Sequence, residues 1–203
     1  MIGVLLMEKP LKILIAEDEY IVLLGLKETL LALGHLVIGE AFDGESLISQ
    51  ALSKSPDLLI VDVNLPVVDG IEAIKRINAY KSLPAIVVTG YSSEDVMRKA
   101  NEAGVFNYLI KPVDEKELKP AIEIAMGRFR EFVQLKKELK AQEAALEARK
   151  LVERAKGILM ERNNLKESEA MKLLQKMSRD KNKKLVVVAE EIIEADKTLR
   201  YGL

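Results

Sequence analysis

Through the first half of the chain, short apolar runs alternate with longer stretches of helical period. The runs at 12–16, 36–41, 58–61, 85–89 and 106–110 are rich in Ile, Val and Leu, and most give way to acidic or polar residues. Their length and β-branching predict buried strands. Between them, 20–33 carries apolar residues at 3–4 spacing and stops at Gly34, which suits a left-handed position after a helix. Segments 45–54, 71–80 and 94–103 follow the same plan, the last closed by Gly104. A fifth helix is predicted from Asp114, an N-cap with Glu117 three residues on, as in a capping box. Five strands alternating with five helices, each strand buried on both faces, predict a parallel sheet with right-handed crossovers.

The second half has a different pattern. Gly127 is the only glycine between 105 and 156, and no proline follows Pro120, so 128–162 is predicted as one long helix. Within it, Phe132, Leu135, Leu139, Gln142 and Leu146 keep 3–4–3–4 spacing among Lys and Glu, a short heptad seam suited to pairing with a second copy. Asn163-Asn164 reads as a turn, 168–178 as an amphipathic helix and 184–199 as a third helix. The Val186-Val187-Val188 run inside the last has strand character, but a lone strand among helices has no partner.

The 203 residues carry 31 Lys plus Arg against 32 Asp plus Glu, a net charge of −1 that speaks against a nucleic-acid binder. The sum hides an asymmetry. Residues 1–126 hold 12 basic and 19 acidic side chains, net −7, and residues 127–203 hold 19 and 13, net +6. Opposite signs imply two domains with different partners. With no Cys, disulfides, thiolate zinc sites and a Cys nucleophile are excluded. The single His35, in a predicted loop, excludes multi-histidine metal sites. The apolar start stops at Glu8-Lys9-Pro10 and lacks a basic n-region, so no signal peptide is expected. No apolar run is long enough to span a membrane, so a soluble cytoplasmic protein is expected.

Chemistry gathers at the predicted strand ends, where open α/β sheets bind their ligands. Strand 1 ends at Glu17-Asp18-Glu19, strand 3 at Asp62, strand 4 at Thr89 and strand 5 at Lys111-Pro112. Clustered carboxylates repel and raise one another's pKa. A hard divalent cation with oxygen ligands resolves that conflict, and Mg²⁺ takes one or two carboxylates plus water and phosphate oxygens. A lysine and a hydroxyl opposite can hold phosphoryl oxygens, and an Asp can be the nucleophile that forms an acyl-phosphate.

Glu17-Asp18, Asp62, Leu65-Pro66, Asp69-Gly70, Thr89-Gly90, Tyr108 and Lys111-Pro112 together resemble a bacterial two-component receiver domain over about residues 10–126. The resemblance implies a flavodoxin-like (βα)5 fold with strand order 2-1-3-4-5. It implies that Asp62 accepts a phosphoryl group from a sensor histidine kinase. Asp18 and Asp62 would ligate Mg²⁺, with Glu17 helping through water and the backbone carbonyl of Asn64 completing the set. Thr89 and Lys111 would contact phosphoryl oxygens, Tyr108 would be the aromatic switch, and Lys111-Pro112 would be cis. Val68 stands where receivers often have Met. Tyr91, bulky and two residues past Thr89, implies slow self-dephosphorylation. The protein would be a phosphoacceptor rather than an enzyme.

Among residues 176–184, Lys176, Arg179, Lys181, Lys183 and Lys184 face a single acid, Asp180, a patch suited to salt-dependent phosphate contacts. Ala155-Lys156-Gly157-Ile158-Leu159-Met160, Glu169-Ala170, Leu173-Leu174 and Lys184-Leu185 to Val188-Ala189 resemble the ANTAR domain of transcription antitermination regulators. Met171 stands where that family commonly has an aromatic. Gly157 inside a helix costs about 1 kcal/mol against Ala, which points to a packing or binding role. The resemblance implies binding to paired hairpins in nascent mRNA leaders, acting on RNA polymerase indirectly, with a homodimer as the active form. Candidate RNA contacts are Arg179, Lys181, Lys183 and Lys184, then Lys156, Gly157 and Arg162.

The expected architecture is thus a receiver at 10–126, a helical coiled-coil connector at 127–146 and a small three-helix all-α ANTAR domain at 147–200. Two other outputs remain open. Ala189-Glu190-Glu191-Ile192 could begin a helix-turn-helix for DNA, although only residues 193–203 follow it. The helical tail could instead dock a protein.

Overall fold

Alternating apolar side chains on three central strands decide the architecture. The computed structural model describes residues 9–90 and 94–201. Five strands, β1 (Lys12–Ala16), β2 (Leu36–Ala41), β3 (Leu58–Asp62), β4 (Ala85–Thr89) and β5 (Asn107–Ile110), form one parallel sheet in the order β2-β1-β3-β4-β5. Successive strand side chains point to opposite faces. Leu14, Leu59, Val61 and Val87 therefore pack on one face with α2 (Gly44–Lys54), α3 (Gly70–Tyr80) and α4 (Glu94–Ala103). Ile13, Ile15, Ile60 and Val88 pack on the other with α1 (Tyr20–Ala32) and the start of α5 (Glu115–Asn163).

Burial on both faces holds for β3 and β4 and for all of β1 but Lys12, but not for β2 and β5, which are only partly buried. These two are the sheet edges, where a strand has one neighbour. The helix ends match the punctuation expected of them. Gly34 and Gly104 both have φ of +83°, and Asp114 accepts from the Glu117 N–H at 3.0 Å.

The fifth receiver helix and the long helix predicted over 128–162 are one: α5 runs unbroken for 49 residues through Pro120 and Gly127 to Asn163. An interior glycine weakens a helix by only about 1 kcal/mol, which the helix-forming neighbours Ala125, Met126 and Arg128 outweigh. Where α5 leaves the sheet, Phe106 meets Phe129 and Phe132 edge-on at 5.5 and 5.9 Å, and Arg128 Nη1 donates to the Phe106 carbonyl at 3.2 Å.

The described chain divides into two compact units between Val133 and Gln134. In the second, the end of α5 packs with α6 (Glu167–Asp180) and α7 (Leu185–Tyr201) around Ala155, Ile158, Leu159, Ala170, Leu174, Val188, Ala189 and Ile193. The valine run is helical, as its lack of a strand partner requires. Asn164, with φ of 49°, ends α5, and Asn182, with φ of 51°, turns the chain from α6 to α7. Among the described residues, no helix is long and apolar enough to cross a membrane.

Strain is visible at Val67, in the loop after β3. Its φ is 69°, a region a β-branched residue rarely enters. The Val68 N–H donates to the Pro66 carbonyl at 2.8 Å and closes a three-residue turn around it. The Val67 side chain is 81% exposed, so removing it uncovers nothing. Val67→Gly should raise stability by about 1 kcal/mol, the relief of strain being offset in part by a freer unfolded chain. Thermal melts would show a Tm higher by a few degrees; an unchanged or lower Tm counts against a strained turn.

Candidate functional site

Each member of the acidic cluster sits where a strand hands over to a loop. Glu17 and Asp18 follow β1, Asp62 ends β3, Thr89 ends β4 and Lys111 follows β5. Because the strands are parallel, these ends share one edge of the sheet. Backbone bonds fix the exits: the Glu17 N–H donates to the Ala41 carbonyl at 3.0 Å, and the Lys111 N–H to the Thr89 carbonyl at 2.8 Å. The Lys111-Pro112 peptide is cis.

Two glycines shape the loops. A Cβ on Gly70 would stand 1.9 Å from the Asp62 carbonyl oxygen, and one on Gly44 would stand 2.0 Å from that of Val68. Only glycine lets α2 and α3 begin this close to the loop after β3. The Asp69-Gly70 pair stands out in the sequence by resemblance. Gly44 does not, although Asp43-Gly44 at a predicted helix start carries the same signature.

The electrostatics are severe. Glu17 is wholly buried and Asp62 is 4% exposed, whereas Asp18 is exposed. Oxygens of the three lie within 4.8 Å of one another. Lys111 Nζ donates to Glu17 Oε1 and to Asp62 Oδ2, each at 2.9 Å. Glu17 Oε2 is 2.7 Å from the same ammonium, at an angle that makes no hydrogen bond. It and Asp62 Oδ1 are thus buried without a hydrogen-bond partner. Burial pushes the Glu17 carboxyl above its ordinary range, and the Asp62 charge adds to the push against the pull of Lys111. For Lys111, burial favours the neutral amine, but its hydrogen bonds to Glu17 and Asp62 and their charges outweigh this and raise its pKa.

One lysine cannot balance three carboxylates. Two buried acceptors without donors, among acids, suit a hard divalent cation with oxygen ligands. Glu17, Asp18 and Asp62 could hold one, and Asn64 lines the adjoining groove beside Asp18. Thr89 is buried at the end of β4. Tyr108 is 43% exposed on the edge strand β5. Tyr91 lies outside the described residues.

The basic candidates divide into two groups. Lys156 is only 8% exposed, and its ammonium pairs with Glu153 at 2.5 Å and Glu167 at 2.7 Å. Those hydrogen bonds outweigh desolvation and raise its pKa. Arg162 pairs with Asp196 at 2.6 Å, and Arg200 joins Asp196 and Glu161 at 2.9 and 2.7 Å. Lys181 and Lys183 both reach Glu191, which they hold down to a pKa of about 2. Arg179 and Lys184 are exposed, with no ion pair among the described residues. Gly157 faces open space, so nothing among the described residues supplies the packing role expected of it. Glu153, Glu167, Glu191 and Asp196 carry no signal in the sequence that marks them as partners. Only the fold brings most of them to their cations.

A 2-1-3-4-5 parallel sheet with a lysine-bridged acid cluster at its strand ends defines a signalling receiver. Family models agree: that of the response regulator receiver domain matches residues 13–123, and that of the ANTAR domain matches residues 140–193. The transcriptional regulatory protein PdtaR of Mycobacterium tuberculosis is 40% identical over 185 residues, 91% of this chain and 90% of its own length. LiaR of Bacillus subtilis is 36% identical over 117 residues, 57% of this chain and 56% of its own. Among solved structures, the signal receiver domain of a modulated diguanylate cyclase from Desulfovibrio desulfuricans superposes with a TM-score of 0.56 at 31% identity, over 59% of this chain and 96% of that one. The chain belongs to the two-component response regulators that carry an ANTAR output domain. Members of this family are phosphoacceptor regulators rather than true enzymes.

The crowded carboxylates set the stability of the site. Because the folded Glu17 pKa is raised, the folded chain holds that proton at pH values where the unfolded chain has lost it. Stability should therefore fall as pH rises from the ordinary carboxylate range through the raised value, and Mg²⁺ should remove that slope by compensating the ionised form. In metal-free buffer, Asp62→Asn should raise the Tm, and Lys111→Met should lower stability by about 3 kcal/mol by leaving two buried carboxylates uncompensated. Melts with chelator and with Mg²⁺ check this; a wild type that Mg²⁺ leaves unchanged would contradict the cation site.

Proposed function

We propose that this chain is a response regulator phosphorylated on Asp62 by a sensor histidine kinase, which controls transcription antitermination by binding hairpins in nascent mRNA leaders. The observation that carries the phosphorylation step is Asp62 itself: buried at a strand end, with Oδ2 held by Lys111 and Oδ1 without a partner. An Asp62 oxygen forms the new O–P bond as the P–N bond to the donor histidine breaks, and the leaving imidazole takes up a proton. Glu17, Asp18, Asp62 and the backbone carbonyl of Asn64 would hold Mg²⁺, which when bound offsets the negative charge of the carboxylates and the transferred group. Lys111 pairs with one phosphoryl oxygen and the Thr89 hydroxyl bonds another. Tyr108, half exposed in this structure, is the side chain that would follow Thr89 inward.

Exposed apolar side chains near the acidic rim support a protein as the phosphoryl donor. Tyr20 and Ile21 on α1 are 63% and 84% exposed, and Phe42 in the next loop is 44% exposed. On α5, Leu135, Leu139 and Leu146 are 65%, 56% and 55% exposed at heptad spacing, which supports a second copy covering them in a homodimer. A dimer carrying two basic turns suits paired hairpins, because the second contact becomes intramolecular. The same reading places the chain in the cytoplasm, beside the transcript and RNA polymerase.

Transcription of a leader with an overlapping terminator tests the reading. Wild type with a phosphoryl donor should raise read-through, and Asp62→Asn should not; equal read-through from both would sink control by phosphorylation. Preference for duplex DNA over leader hairpins would turn the output to DNA.

Arg179 and Lys184 are the freest cations of the basic turn. Replacing both with Ala should weaken hairpin binding and reduce the salt slope by about 2. Lys156→Ala should instead act through stability, since its ammonium is already engaged by Glu153 and Glu167. An unchanged slope in the double variant would move the RNA surface elsewhere.

A further inference from the structure

The turn between α6 and α7 holds an anion of its own. Glu191 Oε2 accepts from Lys181 Nζ at 2.6 Å, and Glu191 Oε1 accepts from Lys183 Nζ. Each carboxylate oxygen thus takes one ammonium, with Asn182 between the two lysines. The backbone that presents them is fixed. The N–H groups of Lys181, Asn182 and Lys183 donate to Met177, Arg179 and Ser178, and Ser178 Oγ donates to the Lys183 carbonyl at 2.6 Å. Two ammonium groups bracketing one two-oxygen anion is also the arrangement that holds the two non-bridging oxygens of a phosphodiester.

We propose that Glu191 is an internal counter-anion: its carboxylate stands where an RNA phosphate will bind, and binding exchanges one for the other. The proposal rests on the RNA-binding reading above and adds a specificity device to it. The exchange is feasible because the pairs are half open to water. The side chains of Lys181 and Lys183 are 46% and 49% exposed and that of Glu191 is 33% exposed, and ion pairs so placed hold only weakly. It is also selective. An RNA that offers a lone phosphate must displace an anion already bound, and gains little. One that also engages Arg179 and Lys184 has further contacts with which to drive the displacement. Glu191 therefore suppresses binding to arbitrary RNA more than binding to a matching hairpin. It is a positioning and competing residue, not part of the phosphorylation site.

The test uses the full chain and a labelled RNA stem-loop with a randomised loop, beside a leader hairpin. Glu191→Gln keeps the shape and removes the charge. It should bind the randomised stem-loop about tenfold tighter, and its salt slope should steepen by about 1, since one repelling charge leaves the interface. The preference for the leader hairpin over the randomised one should shrink. A merely structural Glu191 would lower the melting temperature and weaken both RNAs alike. Lys181→Gln with Lys183→Gln supplies a second variant: it leaves Glu191 facing the phosphates unpaired, so it should bind more weakly than wild type, and adding Glu191→Gln should recover part of the loss. Wild type and Glu191→Gln binding RNA with equal affinity and equal slope would overturn this proposal alone. Neither protein binding any RNA would overturn the RNA-binding reading, and this proposal with it.

Discussion

The ammonium of Lys111 between Glu17 and Asp62 is the interaction on which the receiver depends. Two carboxylates are buried at the end of an aliphatic sheet, a position that water would ordinarily have to solvate. The lysine comes from the far edge of the sheet, 94 residues from Glu17 and 49 from Asp62. Its hydrogen bonds therefore tie β1, β3 and β5 together across the rim. Parallel pairing brings the ends of β1, β3 and β5 to one rim, where these side chains come within bonding distance. What they leave unsatisfied, one oxygen on each buried carboxylate, is where chemistry can enter.

One helix, α5, contributes to both compact units. A single helix serves the receiver core through Leu118, Ala121, Ile122 and Ala125, and the helical unit through Ala155, Ile158 and Leu159. The aromatic contact of Phe106 with Phe129 and Phe132 fastens it where it leaves the sheet.

In the second unit, charge is arranged rather than merely abundant. Of the cations singled out in the sequence, Lys156, Arg162, Lys181 and Lys183 are matched to acids, while Lys176, Arg179 and Lys184 have no such partner among the described residues. Ion pairing leaves the net charge of +6 over residues 127–203 unchanged, because the acids are already counted in it, but it decides which cations stand unpaired.

Much of this protein was legible in the sequence because the signals are local or periodic. Strand and helix positions, the punctuation by Gly34, Gly104 and Asn164, and the strand-end carboxylates all follow from spacing and backbone preference. The receiver and ANTAR resemblances rest on residues of the chain itself. Only the tertiary structure decided the rest. The edge exposure of β2 and β5 depends on neighbours far along the chain. Glu191 lies eight residues from Lys183, and Asp196 34 from Arg162. Those pairings exist only because α7 packs back on α5 and α6. Charge type is written in the sequence, but whether a charge is free or compensated is set by what the fold places beside it.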